Sequence, residues 1–170
     1  MKKYAIPALI ALLLFSCNSG KQDQTLPPPA IDSNVVNVDT DDMEMNQAIY
    51  AAQQTLYRFD SALQLENDSL MCMLKVRFPV RDGGGEHIWV YDVQKTGSGY
   101  RGLLDDTPIY PEITYKINDT VPISRNDISD WMFVKDRQLV GGFTTRLLYK
   151  RMTKEERKAF DDNMPYRVTE

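Results

Sequence analysis

The stretch LMCMLKVRFPVRDGGGEHIWVYDV, residues 70–93, decides how the rest of the chain is read. Leu70, Cys72, Leu74, Val76, Phe78 and Val80 alternate with Met71, Met73, Lys75, Arg77 and Pro79. Strict period two is the pattern of a strand with one face buried, because successive side chains leave opposite sides of the backbone. DGGG at 82–85 is a hairpin turn signal, and EHIWVYDV is the returning strand. The hairpin also carries the only histidine of the chain, His87, directly after Glu86 and two residues before Trp89.

Further strands follow at short spacing. YRGLL comes after a TGSG turn at 96–99, and TYKINDTVPI turns near Asn118-Asp119. DISDWMFV leads through KDRQ into LVGGF. The period then changes: Phe143, Leu147, Leu148 and Met152 suit a helix packed on the sheet, and Thr153 with Glu156 forms a capping box for the next one. On the N-terminal side, Met45, Ile49, Ala52, Leu56, Phe59 and Leu63 fall on one helical stripe, with Asp41 and Glu44 as its expected capping box. Helix, antiparallel strands on short turns, then helices: the fold class is α+β, an N-terminal amphipathic helix and C-terminal helices packed on a small antiparallel sheet.

The globular domain is expected over residues 43–165, with 166–170 as a tail. Before it, MKKYAIPALIALLLFSC has two lysines and a short apolar run that falls short of the roughly 20 residues of a membrane span. Residues 1–16 therefore read as a signal peptide. The LFSC ending resembles a bacterial lipobox, which implies acylation of Cys17 and attachment to the membrane through that lipid. Residues 17–42, with Pro27, Pro28 and Pro29, read as an extended tether. The implied location is the bacterial cell envelope, and the non-acidic Asn18 favours the outer membrane by analogy. Acylation of Cys17 would leave Cys72 as the only thiol, so no internal disulfide is expected. A net charge of −4 and the lack of a basic stretch argue against a nucleic-acid partner.

Chemistry has few carriers. One histidine and one core-facing cysteine do not make a zinc site, no calcium loop is present, and GGG leads into a strand rather than a helix, so neither metal nor cofactor is expected. Cys72 shares its face with Leu70, Leu74 and Val76, which marks it as packing rather than a nucleophile. Ser98 lies in a turn and Ser129 mid-strand. The remaining candidates for a groove are Glu86, His87, Trp89, Asp130 and Trp131, from EHIW and ISDW. If the two strands are neighbours, Asp130 can orient His87 and Glu86 can act beside it. The other reading of the same residues is two core tryptophans and a hydrogen-bonded pair at the core's edge.

With those segments in view, the sequence resembles family 2314 of the bacterial domains of unknown function. The likeness rests on Glu86, His87 and Trp89; Gly102, Asp106 and Pro108; Ile128, Asp130 and Trp131; and Gly141, Gly142, Phe143 and Thr144. It covers about residues 45–160. Asp105-Asp106 stands where Asn-Glu is common, and Asn118 where a Gly often precedes the Asp; both are turn positions. The resemblance implies a family and no reaction. The residues favour a tethered, non-catalytic module that binds an envelope protein or a small polar ligand. An envelope hydrolase using Glu86, His87 and Asp130, and a purely structural domain, stay open beside it.

Overall fold

The computed structural model describes residues 42–65, 70–81 and 83–169. The expected signal segment, Cys17 and the tether up to residue 41 lie outside the described residues. So does Asp41 of the expected capping box; the cap of the first helix is Asp42, whose Oδ1 accepts the Met45 N–H at 3.1 Å.

The quoted hairpin forms as the alternation requires. Strands β1 (Met71–Pro79) and β2 (Gly85–Lys95) pair antiparallel, with Leu74 opposite Val90 and Arg77 opposite His87. Strands β3 (Gly99–Leu104), β4 (Thr120–Ser124), β5 (Ile128–Lys135) and β6 (Gln138–Gly141) complete a six-stranded antiparallel sheet in the order β4-β3-β2-β1-β5-β6. The turns match their sequence signals: Asn118, Asp136 and Arg137 adopt positive φ, as does Gly83. The two middle strands thus come from the stretch with the strongest pattern.

One face of the sheet carries Leu74, Val76, Ile88, Val90, Leu104, Val121, Ile128 and Trp131, and it is covered by Ala52, Leu56 and Phe59. These last come from two helices, α1 (Met43–Gln54) and α2 (Leu56–Leu63), rather than the single continuous helix the stripe predicts. The break has an identifiable cause. The Trp131 indole N–H donates to the Ala52 carbonyl at 2.9 Å, and the Thr55 hydroxyl donates to Ala51 O at 2.7 Å, so side chains take carbonyls at the end of the first helix. The stripe is otherwise read correctly, except that Ile49 and Leu63 are only half-buried and Ala62 is buried.

Over the opposite face lies a smaller cluster. Met73, Met132 and Leu139 pack with Tyr166, Phe160, Met164 and Val168. Helix α3 (Phe143–Arg151) starts at the end of β6, and α4 (Lys154–Asn163) opens with the predicted Thr153–Glu156 capping box. The expected tail at 166–170 is corrected over its described residues, 166–169. Tyr166 is buried, and Arg167 joins the free edge of β6: Leu139 N–H donates to Arg167 O at 3.1 Å and Arg167 N–H to Arg137 O at 2.8 Å. The segment covers a sheet edge that would otherwise offer unpaired amides. At the other edge, β4 carries Pro122, which cannot donate to a further strand.

Candidate functional site

The five residues singled out from the sequence do not share one groove. Alternation along β2 puts Glu86 and His87 on opposite faces. Glu86 is 8% exposed, and its carboxylate accepts the Ile109 N–H at 3.0 and 3.1 Å and the Tyr110 N–H at 3.3 Å. It pins the long β3–β4 connection, residues 105–119, to the sheet. Its oxygens are used on backbone amides, not on the imidazole.

Asp130 does the same at the other end. It is fully buried at a point where β5 bulges: Lys75 stands opposite Asp130 and Val76 opposite Ile128, with Ser129 as the extra residue donating its hydroxyl to Lys75 O at 3.1 Å. Oδ1 of Asp130 accepts the amides of Trp131 at 2.8 Å and Phe143 at 3.1 Å. Oδ2 accepts the Thr144 amide at 2.8 Å and the Thr144 hydroxyl at 2.7 Å. Gly142, at the N-terminus of α3, supplies no side-chain cap, so Asp130 reaches from β5 and satisfies the first amides of that helix. Burial raises its pKa, while these donors and the Lys75 charge favour the carboxylate. Gly141 and Gly142 make the turn possible, both at positive φ; a Cβ on Gly141 would stand 2.4 Å from Trp131 O. DW and GGFT are therefore two halves of one clasp. Trp131, fully buried, belongs to the core on the helix-covered face.

His87 and Trp89 remain, and both leave the sheet on the side of the smaller cluster. The C-terminal segment covers that face only in part. His87 is exposed and Trp89 half-buried. Two residues not singled out from the sequence stand with them. Lys75, opposite Trp89 on one side and Asp130 on the other, holds Nζ 5.4 Å from the centroid of the Trp89 ring. Arg77, opposite His87, lies over Gly85 and donates from Nη2 to the carbonyls of Gly83 at 3.0 Å and Gly84 at 2.5 Å. Both were within reach of the sequence: they are the polar members of the alternation, and the GGG turn sets them against His87 and Trp89.

Partial desolvation first, then the Lys75 and Arg77 charges, holds the His87 imidazole down at about 4, so it is neutral at pH 7. Burial lowers the Lys75 pKa, opposed by Asp130. Tyr166, which completes the covered part of the face, is pushed up to about 12 by burial and then by the Asp130 charge. Cys72 packs half-buried against the main core with its thiol pKa raised by burial, as the alternation predicts. Among the described residues no group of His, Cys, Asp and Glu could hold a metal ion. Further along this face, where β2 bulges at Asp92, a shallow hollow of about 230 Å³ is lined by Asp92, Gln94, Arg101, Leu103 and Thr120. It contains none of the five candidates.

The fold and the site define an α+β domain whose acids staple backbone segments and whose central hairpin leaves a basic and aromatic strip open. The chain belongs to the bacterial family described as "Uncharacterized protein conserved in bacteria (DUF2314)", whose model matches residues 42–166. It is similar to a putative ankyrin repeat protein of Neisseria meningitidis serogroup B, 33% identical over 140 residues, 76% of this chain and 54% of the relative. The chain thus spans about half the length of that relative. It is also similar to the uncharacterized protein YegJ of Escherichia coli K12, 27% identical over 150 residues, 87% of this chain and 90% of the relative. No solved structure gives a significant match.

Proposed function

We propose that the chain is a lipid-anchored binding module of the bacterial envelope, held through an acylated Cys17 and a proline-rich tether, and that it binds through the open strip of β1 and β2. The observation behind this reading is the half-covered sheet face. Lys75, Arg77, His87 and Trp89 stand on the two central strands beside the part that Tyr166 and its neighbours close. Side chains mounted on central strands are held more rigidly than side chains on loops, which suits recognition. The hydrolase alternative loses its geometric support, because Glu86 lies on the other face and Asp130 is engaged by three amides and a hydroxyl.

Two measurements on the full-length chain in cells test the proposal. Labelling with radioactive palmitate should mark the parent and not Cys17→Ser, and Cys17→Ser should leave the membrane fraction. Retention of an unlabelled chain in the membrane rejects the anchor. A photo-crosslinking residue in place of His87 should give a discrete adduct, whereas the same residue in place of Tyr50, exposed on the outside of α1, should not. Equal products from both positions reject the binding face, and so does the lack both of a product from position 87 and of any ligand response of the His87 imidazole.

A further inference from the structure

Three basic side chains leave the same face of β1 and β2. Arg77 and His87 are directly opposite one another, and Lys75 is the next residue of β1 on that face. The Lys75 and Arg77 charges repel one another unless something offsets them, and both oppose protonation of His87. The ion pairs among the described residues use Asp42, Glu44, Asp60 and Asp162, and none reaches this trio. The carboxylate in register with Lys75 is Asp130; it offsets the Lys75 charge in part, while its oxygens accept from the amides and hydroxyl at the start of α3 and leave Arg77 without a carboxylate partner among the described residues. The two carbonyls that Arg77 holds fix its guanidinium over Gly85, and its Nε and Nη1 hydrogens find no acceptor among the described residues. The His87 imidazole makes no hydrogen bond to a described residue.

We propose that Lys75, Arg77 and His87 form a binding site for the oxyanion group of a small ligand, a carboxylate or a phosphate, with Trp89 as its apolar wall. The proposal rests on the reading of this face as the binding surface and names the class of ligand. A guanidinium fixed by both Nη2 hydrogens is held in place, and its Nε and Nη1 hydrogens act as separate charge-assisted donors to an anion's oxygens. Lys75 supplies a second charge and Trp89 a flat surface for the ligand's carbon skeleton. His87 then acts as the third donor when protonated. Because Lys75 and Arg77 contribute to keeping that proton off, an anion seated between them reverses the effect, and the imidazole takes up a proton as the ligand binds. Carboxylate and phosphate share this chemistry and are separated by the test.

The test follows the single histidine, isotopically labelled, by NMR in the full-length chain in detergent micelles. The imidazole is titrated in sodium chloride, trifluoroacetate and inorganic phosphate at equal ionic strength, the last two remaining ionised across the range. The midpoint in chloride should lie near 4. In the salt of the matching oxyanion it should rise by about one unit, a roughly tenfold preference of the anion for the protonated site. Arg77→Gln should raise the chloride midpoint and remove most of the response to the anion. Arg77→Lys, which keeps the charge but not the fixed Nε and Nη1 donors, should keep the low midpoint and still weaken the response. One midpoint common to all three salts overturns the proposal, and so does a response undiminished in both variants. A crosslinked adduct at position 87 without an anion response leaves the binding face standing and removes the oxyanion; the absence of both removes the two together.

Discussion

Replacing Asp130 by Asn keeps the side chain's shape but sets an NH2 group against amides that need an acceptor. The expected cost is about 2–4 kcal/mol in denaturant unfolding, the range for breaking a buried charge-assisted network. A change within about 0.5 kcal/mol, as at an ordinary surface position, would deny Asp130 its clasp role. Glu86→Gln acts on the other staple, with an expected cost of about 1–3 kcal/mol. Its diagnostic readout is hydrogen exchange, which should accelerate at Ile109 and Tyr110 and leave Thr144 unchanged. His87 sets a pH dependence. Its folded pKa, about 4, lies below the ordinary imidazole value of 6.5, so between those values the unfolded chain binds the extra proton. The stability His87 contributes is therefore complete above pH 6.5 and is lost as the pH falls towards 4. Comparing melting temperatures of the parent and His87→Gln, the part of the decline confined to that window should disappear in the variant. An identical decline in both would contradict the depressed pKa.

At the scale of elements, the glycine pair between β6 and α3 has no substitute. A Cβ at Gly141, at φ +75, would lie 2.4 Å from Trp131 O and 2.6 Å from its ring. Gly141→Ala is expected to cost at least about 2 kcal/mol through backbone strain and overpacking. Gly97→Ala, where nothing lies within 4 Å, should change stability by less than about 0.5 kcal/mol. Equal effects at the two positions would show that the clasp tolerates a side chain. Element types were legible because β1, β2 and β4 alternate and the turns between strands carry Gly, Asn or Asp. The break at Thr55 was not, because the group that takes the Ala52 carbonyl comes from Trp131, far along the chain. Apolar periodicity records which residues face the sheet; it is blind to which carbonyl a distant indole will take.

At the scale of the molecule, the last residues belong to the domain. Deleting 166–170 removes Tyr166 and Val168 from Met73, Met132 and Leu139 and uncovers the edge of β6. The expected loss is about 2–4 kcal/mol, the range for losing a buried aromatic and its neighbour. It should be measured as a lower unfolding midpoint with increased binding of a hydrophobic dye. An unchanged midpoint would return the segment to the status of a tail. The candidate site divides in the same manner as the fold. From the sequence alone came the α+β class, the hairpin, the capping box at Thr153, and the singling out of Glu86, His87, Trp89, Asp130 and Trp131 as candidates. These depend on local periodicity and turn chemistry, which a few neighbouring residues carry. What each of the five does was decided only in three dimensions. The register of β1 against β5 brings Asp130 beside Lys75, and the glycine turn returns α3 onto the same carboxylate. The β3–β4 connection folds back onto Glu86. A carboxylate's role depends on which donors reach it, and here all but the adjacent Trp131 amide arrive from elements 13 to 24 residues away.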